Sequence, residues 1–191
     1  MSRQRARELA FRTLFQSERG AEPLLEVWHN VRIEVAEEAA ESPEDAVYGG
    51  ALGLDDLAFA EGLLQAFAEH REELDARLAA AITGWSFGQM AQTDLNVLRI
   101  ASTEMSYGSE PPEVAIEMAV RLAKKFGGDE SGRFVNGVLA KLIRQDGTRA
   151  GADAAGGATA GGAAADRGAA APAATQDAAR QSAEAGDDGS A

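Results

Sequence analysis

The stretch Pro112–Ile143, PEVAIEMAVRLAKKFGGDESGRFVNGVLAKLI, decides the fold. Ala115, Met118, Leu122 and Phe126 recur at steps of three and four residues, which gathers them on one face of a helix. Pro111-Pro112 opens that helix and Gly127-Gly128 ends it, the usual placement of these two breakers. From about Ser131 the pattern resumes, with Phe134, Val135, Val138 and Leu142 inward. Two amphipathic helices joined by a glycine-rich turn are therefore expected.

Upstream the same period continues. Thr93 is the expected N-cap of a helix carrying Leu95, Leu98, Ala101 and Met105. Leu57, Ala60, Leu64 and Phe67 form one earlier stripe, and Leu74, Leu78 and Ile82 another, closed by Gly84. Leu24, Val27, Trp28, Val31 and Val35 follow Pro23, while Ala6, Leu9, Ala10, Thr13 and Leu14 make the first stripe, stopped at Gly20. Residues 41–54 read as a loop broken at Gly49-Gly50. No segment alternates with period two long enough to form a strand. The expectation is an all-α domain of about seven helices.

Downstream the pattern stops. Residues 146–191 hold 19 Ala and 9 Gly among 46 positions and no large apolar side chain. Such a segment has little to bury against its conformational entropy, so disorder is expected there. Residues 1–145 are the expected domain. They carry 15 basic and 24 acidic residues of a chain whose net charge is −13. The acidity is concentrated between residues 18 and 75, with 16 acids against three arginines, whereas residues 1–15 carry four arginines (3, 5, 7 and 12) and one glutamate.

Composition excludes several kinds of chemistry. With no cysteine, a disulfide framework, a thiolate metal site and a cysteine nucleophile are ruled out. Two histidines, His29 and His70, leave little for a histidine metal site, and neither has an evident triad partner. Neither a phosphate-binding GxxxxGK[ST] loop nor a GxGxxG fingerprint occurs. Adjacent acids such as Glu37-Glu38 and Glu72-Glu73 would diverge by about 100° on a helix, which suits a solvated face better than paired carboxylates. No catalytic residue, metal or cofactor is expected. Without a long apolar run or a secretory leader, a soluble cytoplasmic protein is the expectation.

The arginines at the start and the turn Gly127–Gly132 remain. Cations are disfavoured at a helix N-terminus. The arginines there are either a solvated end or a surface for a polyanion, to which the planar guanidinium is suited. Phe11 and Phe15 follow on the same helix, so that stacking beside cations is available. The glycine-rich turn reads either as a plain connection or as open amides able to hold an anion.

Three stretches carry a resemblance: Arg5-Ala-Arg-Glu-Leu-Ala with Leu14-Phe15; Asp94-Leu-Asn-Val-Leu-Arg-Ile-Ala with Glu104-Met; and Pro112-Glu-Val-Ala-Ile, Leu122-Ala-Lys-Lys-Phe-Gly and Ser131-Gly-Arg-Phe-Val-Asn-Gly-Val-Leu. Together, over about residues 3–144, they resemble the NusB family of transcription antitermination factors. The resemblance implies two small helical subdomains and binding to boxA-type single-stranded RNA. It implies partnership with the small-subunit ribosomal protein NusE, in a complex with other Nus factors and RNA polymerase on ribosomal RNA operons. Some members are homodimers when free.

By position, the resemblance implies RNA contacts at Arg3, Arg5, Arg7, Phe15, Phe126, Glu130, Ser131, Arg133 and Phe134, and a protein-partner contact at Asp94. Gln4 interrupts the family's arginine run, Phe15 stands where Tyr is common, and Ser102-Thr103 is more polar than usual. Two other readings stand beside this one. One is a helical homodimer for protein assembly with little RNA binding. The other is an RNA-delivery domain related to those of ribosomal-RNA methyltransferases.

Overall fold

A computed structural model of the chain describes residues 2–41 and 52–156. Six α-helices run in the order α1 Ser2–Gly20, α2 Leu24–Glu41, α3 Leu54–Ala81, α4 Gln92–Tyr107, α5 Pro112–Gly127 and α6 Asp129–Gly156, with one 3-10 turn at Phe87–Gln89. Among the described residues there is no strand, and no helix is long and apolar enough to cross a membrane. The Gly49-Gly50 loop lies outside the described residues.

Six helices replace the expected seven because the third and fourth apolar stripes share α3. The seam between them is still visible. His70, at φ −111° and ψ 17°, departs from helical geometry between Phe67 and Leu74. The kink turns the second half of α3 so that Leu78 and Ala81 face a different set of neighbours from Ala60, Leu64 and Phe67.

Two apolar clusters result. The first joins Leu9, Leu14, Val27, Trp28, Val31, Leu64, Phe67 and Leu74, from α1, α2 and the front of α3. The second joins Phe11, Leu78, Val97, Leu98, Leu122, Val135, Leu139 and Leu142, so it rests on α4, α5 and α6. Helices α1, α3 and α4 contribute to both, the last through Ile100 on one side and Val97 and Leu98 on the other. Each fully buried Leu or Phe contributes roughly 1.5–3 kcal/mol of transfer free energy, and sharing three helices ties the two clusters together.

Helix α4 is the axis of the molecule. Every residue from Leu95 to Glu104 is buried, polar ones included. A buried polar group must find a partner or destabilise the fold. Ser102 and Thr103 donate back to the Arg99 carbonyl at 3.0 and 2.7 Å, which explains how the polar pair is accommodated. Arg99 itself meets Asp75 through two hydrogen bonds of 2.9 and 2.7 Å and approaches Glu18 at 3.4 Å, linking α4 to α3 and α1.

Helix ends depart from expectation at two places, the start of α4 and the end of α6. The N-cap of α4 is Ala91, and Thr93 lies inside the first turn. Helix α1 ends at Gly20, as expected; Ala21 follows in the left-handed region (φ 52°), and Ser17 Oγ donates to the Glu22 carbonyl at 2.7 Å and closes the turn. Helix α6 starts at Asp129 and continues to Gly156, past the expected boundary at residue 146. Arg77 holds Asp146 at 2.5 Å, so the helix is tied to α3 at that point.

Candidate nucleic-acid interface

Helix geometry sorts the N-terminal arginines. At about 100° per residue, positions two apart face different sides and positions seven apart share one. Arg5, Arg12 and Arg19 are spaced by seven and stand on one face of α1, with Glu8, Phe15 and Gln16. Arg3 and Arg7, four apart, occupy the opposite face.

That division separates exposed from buried charge. Arg7 is only 5% exposed. Its Nε donates to Glu104 Oε2 at 2.7 Å, a second guanidinium nitrogen donates to Glu104 Oε1, and Glu110 Oε2 lies 3.7 Å away. The expected phosphate contact at Arg7 is therefore corrected: its fork is filled by Glu104, and the residue holds α1 to α4. Arg3 is half exposed but donates to Glu110 at 3.1 Å, and its guanidinium lies 4.8 Å from the centre of the Phe59 ring. Arg5 is exposed and has no side-chain partner among the described residues.

On the outward face of α1 the cations sit over aromatic rings. Phe11 and Phe126 stack in a tilted pair at 4.9 Å, and Phe15 lies 6.0 Å from Phe11. Arg12 stands 5.3 Å over Phe126, Lys125 5.4 Å over the same ring, and Arg19 5.9 Å over Phe15. Glu8 lies between Arg12, at 2.9 Å, and Lys125, at 2.7 Å, and holds α1 to the end of α5. A groove of about 440 Å³ is lined by Phe11, Arg12, Phe15, Gln16, Thr93 and Phe126. Phe15 and Phe126 are half-buried at the edge of the second apolar cluster, so each presents part of a ring while the rest is fixed by packing. The groove has the two components needed by an unpaired nucleic-acid strand, flat apolar faces and cations close beside them.

A second depression, about 270 Å³, lies beyond the start of α4 and is lined by Trp85, Gln89, Met90, Ala91, Asp94, Glu130, Ser131 and Phe134. Four expected site residues thus meet around one cavity. The turn before α6 makes this close packing attainable. Gly128 has φ 90°, a conformation that favours glycine, and a Cβ on Gly127 would collide with Ser131 Oγ and lie 3.3 Å from Asp94 Oδ1. Asp94 Oδ1 is shielded from solvent and accepts no hydrogen bond from a described residue. Arg133 points outward, paired with Glu130 at 2.5 Å and mostly exposed.

Thr93 borders the first groove and Asp94 the second, so the two adjoin at the start of α4. Of the expected residues, Phe15, Phe126, Glu130, Ser131, Phe134 and Asp94 line this double groove, Arg133 stands beside it, Arg5 shares the face of α1 that carries Arg12, and Arg3 and Arg7 lie on the opposite face. Arg19, Lys125 and Trp85 are absent from the residues expected at the site, and Arg12 enters there only as one of the N-terminal arginines that face either solvent or a polyanion. The seven-residue spacing from Arg5 to Arg12 to Arg19 was available as a signal. Nothing local in the sequence distinguishes Trp85 from a core tryptophan.

The family model described as the NusB family matches residues 4–144, nearly all of the helical body. The chain belongs to the NusB family. It is 50% identical over 143 residues to the transcription antitermination protein NusB of Deinococcus deserti, covering 75% of this chain and 81% of that protein. Against the NusB of Thermus thermophilus the identity is 43% over the same length, covering 75% and 91%. Among solved structures, a T. maritima NusB aligns with TM-score 0.63 at 27% identity, over 75% of this chain and 92% of that one. A crystal structure of antitermination factors NusB and NusE in complex with double-stranded RNA aligns with TM-score 0.63 at 25% identity, over 75% and 97%. Membership assigns the chain to a family of transcription antitermination proteins and not to an enzyme family.

Proposed function

We propose that the chain is a transcription antitermination factor that binds boxA-type single-stranded RNA jointly with the ribosomal protein NusE. In that complex it acts with other Nus factors and RNA polymerase, in the cytoplasm, to keep transcription of ribosomal RNA operons processive. The observation that carries this reading is Arg12 and Arg19 over the Phe126 and Phe15 rings, with the exposed Arg5 on the same face of α1, in a chain of the NusB family. The solved NusB–NusE complex with RNA supports both partners.

In this reading Arg5, Arg12, Arg19 and Arg133 neutralise phosphates while Phe15, Phe126 and Phe134 stack against or wall the bases. Ser131 and the amides at the start of α6 meet base edges or phosphate, and Asp94 faces the protein partner. Residues 1–145 form the binding domain, and residues 146–191 are an appendage to it. A net charge of −13 opposes a polyanion at long range, so affinity is modest without NusE, which extends the surface.

Fluorescence anisotropy with a boxA-like RNA across salt, with and without NusE, tests the reading. Three or four phosphate contacts give a log–log slope of roughly −2 to −3 on single-stranded RNA. A flat slope, or equal affinity for a scrambled RNA with NusE present, overturns the proposal and favours a protein-assembly role.

A further inference from the structure

Trp85 is 60% exposed, on the connection between α3 and α4, and it lines the 270 Å³ cavity with Met90 and Phe134. Leaving a large aromatic side chain in water forgoes burial worth up to a few kcal/mol, and Trp85 does so beside a cavity rather than on a flat face. The cavity lies just below the ~300–1,000 Å³ of typical small-ligand sites, a size suited to one flat group. No lysine or arginine is among its lining residues, and Asp94 and Glu130 supply the charge. A phosphate is therefore excluded from the interior. Arg133 stands outside it, exposed and next in sequence to the lining. The cavity adjoins the groove of Phe15 and Phe126 at the start of α4.

We infer that this cavity is a single-base subsite in which Trp85 stacks on an unpaired nucleobase of bound RNA, with cytosine preferred over uracil. The inference rests on the RNA-binding reading above and extends it to a residue outside the arginine helix. The aromatic lining takes the base faces, and the phosphates stay outside near Arg133. The base edge meets carboxylates, which accept a hydrogen bond from an exocyclic amino group. Cytosine offers one at its N4 and uracil has an oxygen at that position, while the stacking faces of the two are alike.

Trp85 also supplies the readout. The other tryptophan, Trp28, is only 3% exposed, so quenching on addition of RNA reports on Trp85. The full chain, with and without NusE, is titrated with a boxA-like RNA, oligocytidylate and oligouridylate. The expected result is quenching of the parent protein, more strongly by oligocytidylate than by oligouridylate, and none in Trp85→Phe. Trp85→Ala weakens boxA-like RNA binding by about tenfold, a loss usual for one base–aromatic stack, while Trp85→Phe retains most of the affinity. The thermal unfolding of Trp85→Ala stays close to that of the parent, because the side chain is largely exposed.

Unchanged anisotropy in Trp85→Ala, with the salt slope intact, overturns the subsite and leaves the RNA-binding reading standing. Equal quenching by the two homopolymers overturns the base preference. Weaker NusE binding by Trp85→Ala in the absence of RNA assigns the cavity to protein contact instead. Failure of the parent chain to bind any of the three RNAs, even with NusE, overturns both readings.

Discussion

Arg5 and Arg7 are two residues apart in α1 and carry the same charge, yet one is exposed and the other is buried against Glu104. Truncating Arg7 would leave a carboxylate that is 1% exposed with its main partner gone, and an uncompensated buried charge costs about 3–5 kcal/mol. Arg7→Ala is thus expected to lower the urea midpoint sharply. Replacing both members with apolar residues, Arg7→Met with Glu104→Leu, should recover much of the loss. Arg5→Ala is expected to leave unfolding unchanged within about 0.5 kcal/mol and to weaken RNA binding, with a shallower salt slope. Loss of RNA affinity by the refolded double variant equal to that of Arg5→Ala would contradict this division of roles. The arginine-rich start was legible in the sequence; its division into two faces needed the helix phase, and the burial of Arg7 needed Glu104, 97 positions away. Tyr107 offers a pH test at the same scale. Its ring stacks on His70 at 4.1 Å, and desolvation, then the Glu73 carboxylate that accepts its hydroxyl at 3.3 Å, hold the phenol above its ordinary 10.0. Below pH 10 both folded and unfolded phenols keep the proton. As pH rises past 10 the unfolded chain ionises first, so stability falls until the folded phenol also ionises. Tyr107→Phe should lack that loss, and urea midpoints of the two proteins between pH 9 and 11 measure it.

Helices α5 and α6 were the most legible elements because each has a single apolar face and an identifiable punctuation. Ala115 and Leu122 are buried on one helix and Val135, Val138 and Leu142 on the other, as their spacing predicts, while Met118, Phe126 and Phe134 of the same stripes are only partly buried and the buried Ala119 lies outside the expected set. Helix α3 was read as two because the phase of its apolar residues changes at His70, and a phase change looks the same in sequence whether it marks a loop or a kink. The N-cap at Thr93 failed for another reason. Residues Leu95 to Glu104 are buried on every side, so the position of α4 is set by surrounding helices and the cap contributes little. The turn joining α5 to α6 positions Ser131 and Phe134 beside Asp94 of α4, and it depends on Gly128 at φ 90° and ψ −176°. An L-residue there costs roughly 1–3 kcal/mol. No side chain obstructs a Cβ at Gly128, so the effect of Gly128→Ala is purely one of backbone conformation. The variant is expected to shift the urea midpoint by that amount with an unchanged slope, and to weaken RNA binding because the cavity lining moves. A variant of parental stability would show that the turn adopts another conformation at no cost.

At the scale of the whole molecule, charge is distributed against the direction of the proposed function. The excess of acids lies between residues 18 and 75 and in the C-terminal segment, while the cations of the double groove come from α1, the end of α5 and the start of α6. Composition placed the domain boundary near residue 146 because no large apolar residue lies beyond it. The described helix instead reaches Gly156, and Asp146 is held by Arg77. Alanine sustains a helix already nucleated by packing, without a core of its own. A cut at residue 145 would therefore remove an ion pair, whereas a cut after Gly156 would not. Residues 157–191, which lie outside the described residues, carry five acids and two arginines, a net −3 of the total −13. Like charge near a polyanion site slows encounter, and the effect is screened within about 10 Å at 0.1 M salt. A chain ending at Gly156 is thus expected to melt like the full chain, since every buried large apolar side chain lies before residue 146. It should bind boxA-like RNA a few-fold more tightly near 0.05 M salt, through a faster association rate, and equally well near 0.5 M. Stopped-flow anisotropy at the two ionic strengths measures the difference. An unchanged association rate with faster dissociation on truncation would mean that the segment contacts the RNA, and its charge would then be subordinate to a binding role.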